Sequence, residues 1–114
     1  MKTKLLFVCS SNLDRSPAAE SLFEGSKRYE AKSCGIFPHA ETAISKEAIL
    51  WADKIYCMER AHRDFIMENF NEAEGKNIEV LNISNNLCRN DPKLIALLKE
   101  RLREYQIKKV IKKK

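Results

Sequence analysis

"LLFVCSSNLDRSPAAE", Leu5 to Glu20, decides how the rest of the chain is read. Leu5 to Val8 runs apolar, without a polar break, into Cys9. A continuous run of this kind is the pattern of a strand buried on both faces. Five residues then separate Cys9 from Arg15, and Ser16-Pro17 follows. Proline suits a helix's first turn. Ala18, Ala19, Leu22 and Phe23 continue as a helical stripe, with Glu20 and Glu24 outside it. A loop between a strand end and a helix start aims backbone N–H groups at one spot, and with the helix dipole it makes an anion cradle. Asn12 tolerates the left-handed backbone that a concave loop needs. Arg15 adds a planar fork of donors matched to phosphate. Cys9 would sit at the bottom, where donors that bind an oxyanion also stabilise a thiolate. The expectation is a nucleophile, Cys9, facing a phosphate held by Ser10, Ser11, Asn12, Leu13, Asp14, Arg15 and Ser16. The Ser16 hydroxyl can donate to the thiolate, whether or not it also caps the helix.

Outward from this stretch, strands and helices alternate. "YEAKSCGIF", Tyr29 to Phe37, reads as a second strand closing near Gly35. Phe37 precedes Pro38 and is biased to extended backbone. Ser45 reads as the N-cap of "KEAILWAD", with Glu47 in the first turn. "KIYCM", Lys54 to Met58, is a third strand, and "ERAHRDFIMENF" a helix with Phe65, Ile66 and Phe70 on one side. "NIEVLNI", Asn77 to Ile83, is a fourth strand. After the polar loop "SNNLCRN", Asp91-Pro92 reads as an N-cap and first-turn proline. Leu94, Ile95, Leu98 and Leu102 then mark an amphipathic helix. Strict alternation of four strands and four helices predicts an α/β three-layer sandwich around a four-stranded parallel sheet. Ligands of such sheets bind at the carboxyl ends of the strands, near the switch in strand order. The Cys9 loop and the "SNNLCRNDP" loop should share that edge.

Composition sets the remaining bounds. The chain has 114 residues, 44% hydrophobic and 32% charged, enough for one core. Residues 1–107 read as a single domain and 108–114 as a basic tail. The tail, "KKVIKKK", accounts for much of the net charge of +5. No aromatics interleave with its lysines, so no nucleic-acid partner is expected. Cys9, Cys34, Cys57 and Cys88 form no C-x-x-C pair, which points to reduced thiols in the cytoplasm rather than a zinc site. His39 and His62 fit no metal spacing with them and read as surface or structural residues. Neither metal nor cofactor is expected. Leu5 to Val8 falls short of the about 7–15 apolar residues of a signal segment. Nothing approaches the ~20 of a membrane span.

"FVCSSNLDRSPAAE" resembles the nucleophile loop of the low-molecular-weight protein tyrosine phosphatase family. The likeness continues in "KSCGI" (Lys32 to Ile36), "WADKIYCMERAH" (Trp51 to His62) and "NDPKL", and it is nearest to a short, minimal branch. The resemblance implies a Rossmann-like, phosphotyrosine protein phosphatase I-like fold. It implies metal-free hydrolysis of a phosphorylated protein or small phosphate monoester through a cysteinyl-phosphate. Cys9 is then the nucleophile, Arg15 and the loop amides the phosphate holders, and an aspartate the general acid. Inorganic phosphate is the implied product. Three departures stand out. Ser11 replaces the usual loop glycine, and Asp14, expected to point outward, replaces a second cysteine. Asn85 stands where the short branch carries an aspartate, so Asp91 becomes the expected acid. Lys93 and Leu94 replace the aromatics that would flank a tyrosine ring, leaving Phe37 as a candidate wall and Trp51 as a core residue. A pseudophosphatase that binds phosphate without turnover, and a thiol-dependent arsenate reductase relaying through Cys57 and Cys88, are the alternatives.

Overall fold

In the computed structural model, described over residues 1–107, four strands alternate with four helices as expected. The basic tail lies outside the described residues. The strands are β1 (Thr3–Cys9), β2 (Tyr29–Gly35), β3 (Lys54–Cys57) and β4 (Asn77–Val80). The helices are α1 (Arg15–Ser21), α2 (Lys46–Trp51), α3 (Arg60–Asn69) and α4 (Pro92–Arg101). All neighbouring strands pair in parallel, in the order β2-β1-β3-β4.

The uninterrupted apolar run explains why β1 is central. Leu5, Leu6, Phe7 and Val8 are all buried, because helices cover both faces of the sheet. The two-residue period of the strand divides them. Leu5, Phe7 and Cys9 pack with Ala18, Ala19 and Leu22 of the α1 region and Leu94 and Leu98 of α4. Leu6 and Val8 pack with Ile49 of α2 and Ile66 of α3. The same alternation sends Cys9 to the α1 side of the sheet. Phe7 is stacked between Phe23 and Tyr56, ring centroids 5.8 and 5.5 Å away. The chain steps from β1 to one neighbour, β2, and then crosses to the other, β3. The switch point therefore lies between the carboxyl ends of β1 and β3.

One boundary and one burial differ from expectation. The fourth strand was expected to reach Ile83 but ends at Val80, because Asn82 adopts φ 59°, outside the sheet region. Leu81 and Ile83 nevertheless stay anchored: their N–H groups donate to Cys57 O and Met58 O at 2.8 Å. Trp51 is half-buried rather than a core residue, and Lys32 Nζ lies 4.6 Å from its ring centroid.

Gly35 is where the sheet meets the Cys9 loop. Its N–H donates to Thr42 O and its carbonyl accepts from Ile44 N–H, both at 2.8 Å. A Cβ at this position would lie 2.5 Å from Ser10 O and 2.9 Å from Asn12 N. Those neighbours are backbone and cannot swing aside. We expect Gly35→Ala to lose about 1–3 kcal/mol in urea unfolding. Calorimetry should also record weaker phosphate binding by the folded variant, since Ser10 to Asn12 must shift.

Candidate active site

Cys9 ends β1, and the loop behind it curls over the thiol. Asn12 takes the left-handed conformation, φ 58°, as its residue type suggested. This turns its N–H toward Cys9 Sγ at 3.2 Å. Ser16, in the first turn of α1, places Oγ 3.0 Å from the same sulfur. Within Ser10 to Asp14, and among the described residues, only the Asn12 amide is spent on an internal acceptor. Cys9, Ser10, Ser11, Leu13, Asp14 and Arg15 line one cavity of about 130 Å³, together with Asn85 from the loop after β4. That is several times the ~30 Å³ share of a water molecule, room for a tetrahedral oxyanion.

Proton accounting assigns the hydroxyls behind the thiol. Asn12 Nδ2 donates to Ser16 Oγ and to Ser33 Oγ, both at 2.9 Å, which uses both amide protons. Ser33 then donates to Glu20 Oε1 at 2.6 Å. Ser16 has one proton and two acceptors in reach, Cys9 Sγ and, at 3.3 Å, Cys34 O. A thiolate at Cys9 takes that proton, being the nearer and charged acceptor.

Arg15 is 2% exposed, so its charge needs compensation close by. Its Nη1 donates to the Glu59 carboxylate and to Ile83 O, the latter at 2.7 Å. Among the described residues, no acceptor takes its other N–H groups, yet no buried side-chain nitrogen or oxygen lacks a partner. Those groups are therefore open to the cavity that Arg15 lines. Glu59 is the N-cap of α3, directly after β3, so the ion pair bridges the switch point.

Sequence reasoning gave no site role to Glu59, Ser33 or Glu20, and read His62 as a surface or structural residue without linking it to Ser10. The signal for Glu59 and His62 was available: acid-x-x-His directly after a strand adjacent to β1. His62 is buried, not a surface residue. Its Nδ1 accepts from Glu59 N–H and its Nε2 lies 3.0 Å from Ser10 Oγ. Asp14, expected to point outward, is among the residues that line the cavity, and its Oδ1 accepts from Arg89 N–H, on a residue outside that lining, at 2.9 Å. That bond ties it to the loop after β4. Asp91 is not brought to the cavity. It caps α4, Oδ1 accepting from Lys93 N–H at 2.9 Å. Phe37 stacks on His39 at 5.3 Å and lines no part of the cavity. Burial pushes the Cys34 and Cys57 thiols up to about 12. Among the described residues, no cluster of His, Cys, Asp and Glu could hold a metal ion, and no helix is long and apolar enough to cross a membrane.

Burial, aided by the Arg15 charge and partly offset by Glu59, pulls the His62 imidazole down from 6.5 to about 4. The unfolded chain thus binds a proton that the native site refuses between these values. We expect His62 to make stability fall as pH drops from about 6.5 to about 4. Urea midpoints measured across that range should have a shallower slope in His62→Asn than in the parent.

No family model matches the chain. A curated relative does: a protein-arginine-phosphatase of Geobacillus stearothermophilus is 32% identical over 100 residues, taking in 67% of this chain and 68% of the relative. Among solved structures, the YwlE arginine phosphatase from Geobacillus stearothermophilus superposes with a TM-score of 0.67 at 25% identity, over 97% of this chain and 99% of that one. SP-PTP, a low molecular weight protein tyrosine phosphatase from Streptococcus pyogenes, gives a TM-score of 0.74 at 16% identity, over 98% of this chain and 95% of that one. The fold, the Cys9 loop at its switch point and the sequence relationship agree: this chain belongs to the low-molecular-weight protein tyrosine phosphatase family.

Proposed function

We propose that this chain is a cysteine-dependent protein phosphatase working through a Cys9 phosphoenzyme. The observation that carries the reading is the cavity in which Cys9, the free loop amides and the open side of Arg15 converge. In the first step Cys9 Sγ attacks phosphorus, and the bond from phosphorus to the leaving group breaks. Arg15 and the loop amides hold the equatorial oxygens, where charge is concentrated in the transition state. In the second step water attacks phosphorus, the P–S bond breaks, and inorganic phosphate leaves. Ser16 donates to the departing sulfur, its acceptor face already filled by Asn12.

The proton donor is the point on which position and sequence expectation part. Asp91 was the expected acid, yet its carboxylate caps α4. Asp14 is the one aspartate among the residues lining the cavity, and one of its oxygens is held by Arg89 N–H, which leaves the other for proton transfer. In this proposal Asp14 protonates the leaving group and later takes a proton from the attacking water. Substrates are phosphorylated side chains on proteins. The relationship to a protein-arginine-phosphatase favours phosphoarginine beside phosphotyrosine, and the same Cys9 attack serves a P–N or a P–O bond. An arsenate reductase relay is disfavoured: Cys57 is buried within β3, its thiol proton firmly held.

p-Nitrophenyl phosphate, whose leaving group needs little protonation, isolates the nucleophile. We expect turnover that disappears in Cys9→Ser. Absence of turnover in the parent, with phosphate still bound, would instead assign a binding module. Phenyl phosphate, a poorer leaving group, isolates the acid. Asp14→Asn should slow it by about 10²–10⁴-fold while Asp91→Asn leaves it within a few-fold. The reverse pattern would return the acid role to Asp91. Removing the negative charge from the cavity should also make inorganic phosphate a tighter inhibitor of Asp14→Asn, by a few-fold.

A further inference from the structure

Ser10 is the first residue of the cradle, and its hydroxyl is tied to a histidine in the first turn of α3. His62 Nδ1 lies 3.0 Å from Glu59 N, and a backbone N–H can only donate. Nδ1 is therefore unprotonated and the ring is neutral, with its one proton on Nε2. That proton goes to Ser10 Oγ, 3.0 Å away. No other partner holds Ser10 Oγ among the described residues, and Ser10 lines the cavity. With its acceptor face filled from behind, the hydroxyl keeps its own proton for whatever occupies the cavity.

We propose that His62 is a positioning residue that converts the Ser10 hydroxyl into a dedicated donor to a phosphoryl oxygen bound above Cys9. The inference rests on the phosphatase reading for its ligand, but on geometry for its residues. A neutral serine hydroxyl unconstrained at this position could rotate to accept from a loop N–H and leave the oxyanion one donor short. The bond from His62 removes that choice. The same histidine also joins Ser10 to the N-cap of α3, where Glu59 holds Arg15. Two donors that line the cavity, Ser10 and Arg15, are thereby set by one helix start.

Asparagine and glutamine separate the two bonds of His62. Asn places an acceptor near the Nδ1 position and loses the donor to Ser10; Gln places a donor near Nε2. Binding of inorganic phosphate, measured by calorimetry, is the readout, with kcat and KM for p-nitrophenyl phosphate beside it. Urea unfolding checks that each variant is native. We expect Ser10→Ala and His62→Asn each to weaken phosphate binding by about three- to tenfold, the weight of one neutral hydrogen bond. In the Ser10→Ala background His62→Asn should change phosphate binding no further, whereas His62→Gln should stay near the parent. Unchanged phosphate binding in Ser10→Ala overturns the proposal, as does strict additivity of the two substitutions. A parent that binds phosphate without hydrolysing p-nitrophenyl phosphate would overturn the catalytic reading while leaving this binding test intact.

Discussion

A guanidinium taken out of water must have its charge answered within a few ångströms, and Arg15 imposes that condition on three segments of the chain. It is among the largest fully buried side chains. Its answers come from Glu59, at the start of α3, and from Ile83 O, just past β4. The two segments leave adjacent strands of the sheet, β3 and β4, while Arg15 itself follows β1. One buried cation thus gathers the carboxyl ends of three consecutive strands in the sheet order. An ion pair with one partner buried and the other, Glu59, partly open to water is a weak source of net stability, since the cost of desolvating Arg15 consumes much of the Coulomb gain. What it fixes is direction. With Nη1 spent inside, the rest of the fork faces the cavity, and a phosphate arriving there meets donors that need little rearrangement.

Asp14 works against that field and for it. Where the resemblance places a second cysteine, an aspartate stands next to Arg15 in the cavity-lining loop. Its charge opposes an incoming dianion. The bond from Arg89 N–H holds one oxygen and ties the nucleophile loop to the loop after β4. Asn85, where the resemblance places an aspartate, and Asp14 line the same cavity. In the proposed reaction a carboxyl group at either position can serve proton transfer, provided that it reaches the leaving atom.

The fold was legible because one run, Leu5 to Val8, could only be a strand covered on both sides, and the periodic segments after it left little freedom in topology. Cys9, Asn12, Arg15 and Ser16 were legible for a similar reason: their roles are local to one loop, and spacing along the chain equals proximity in space. Glu59 and His62 were not, because their relation to Arg15 and Ser10 exists only once β3 lies beside β1. Asp91 carries the reading that the sequence gives most directly. Asp-Pro before an amphipathic run is an N-cap signal, and capping is what the carboxylate does. The left-handed turn at Asn82, which shortens β4 and frees Ile83 O for Arg15, left no mark stronger than a single asparagine in an apolar stretch.

Two serines in this site are governed by the same device. A hydroxyl is ambiguous, able to donate or accept, and a phosphoryl or thiolate group has use only for the donor. At Ser16 the ambiguity is removed by Asn12, whose amide proton fills the oxygen. At Ser10 it is removed by His62, whose ring proton does so. Asn12 and His62 are both buried, so neither is free to reorient with solvent. Each is fixed in turn: Asn12 by Ser33 and through it Glu20, His62 by the backbone of Glu59. Donor character at the cavity thus originates in groups that never touch it. Preorganisation of this kind is where the free-energy gain lies. A donor that already points at the developing charge costs no reorientation when the charge appears. The loop from Ser10 to Arg15 supplies the contacts, and the buried polar groups behind it decide which way their protons face.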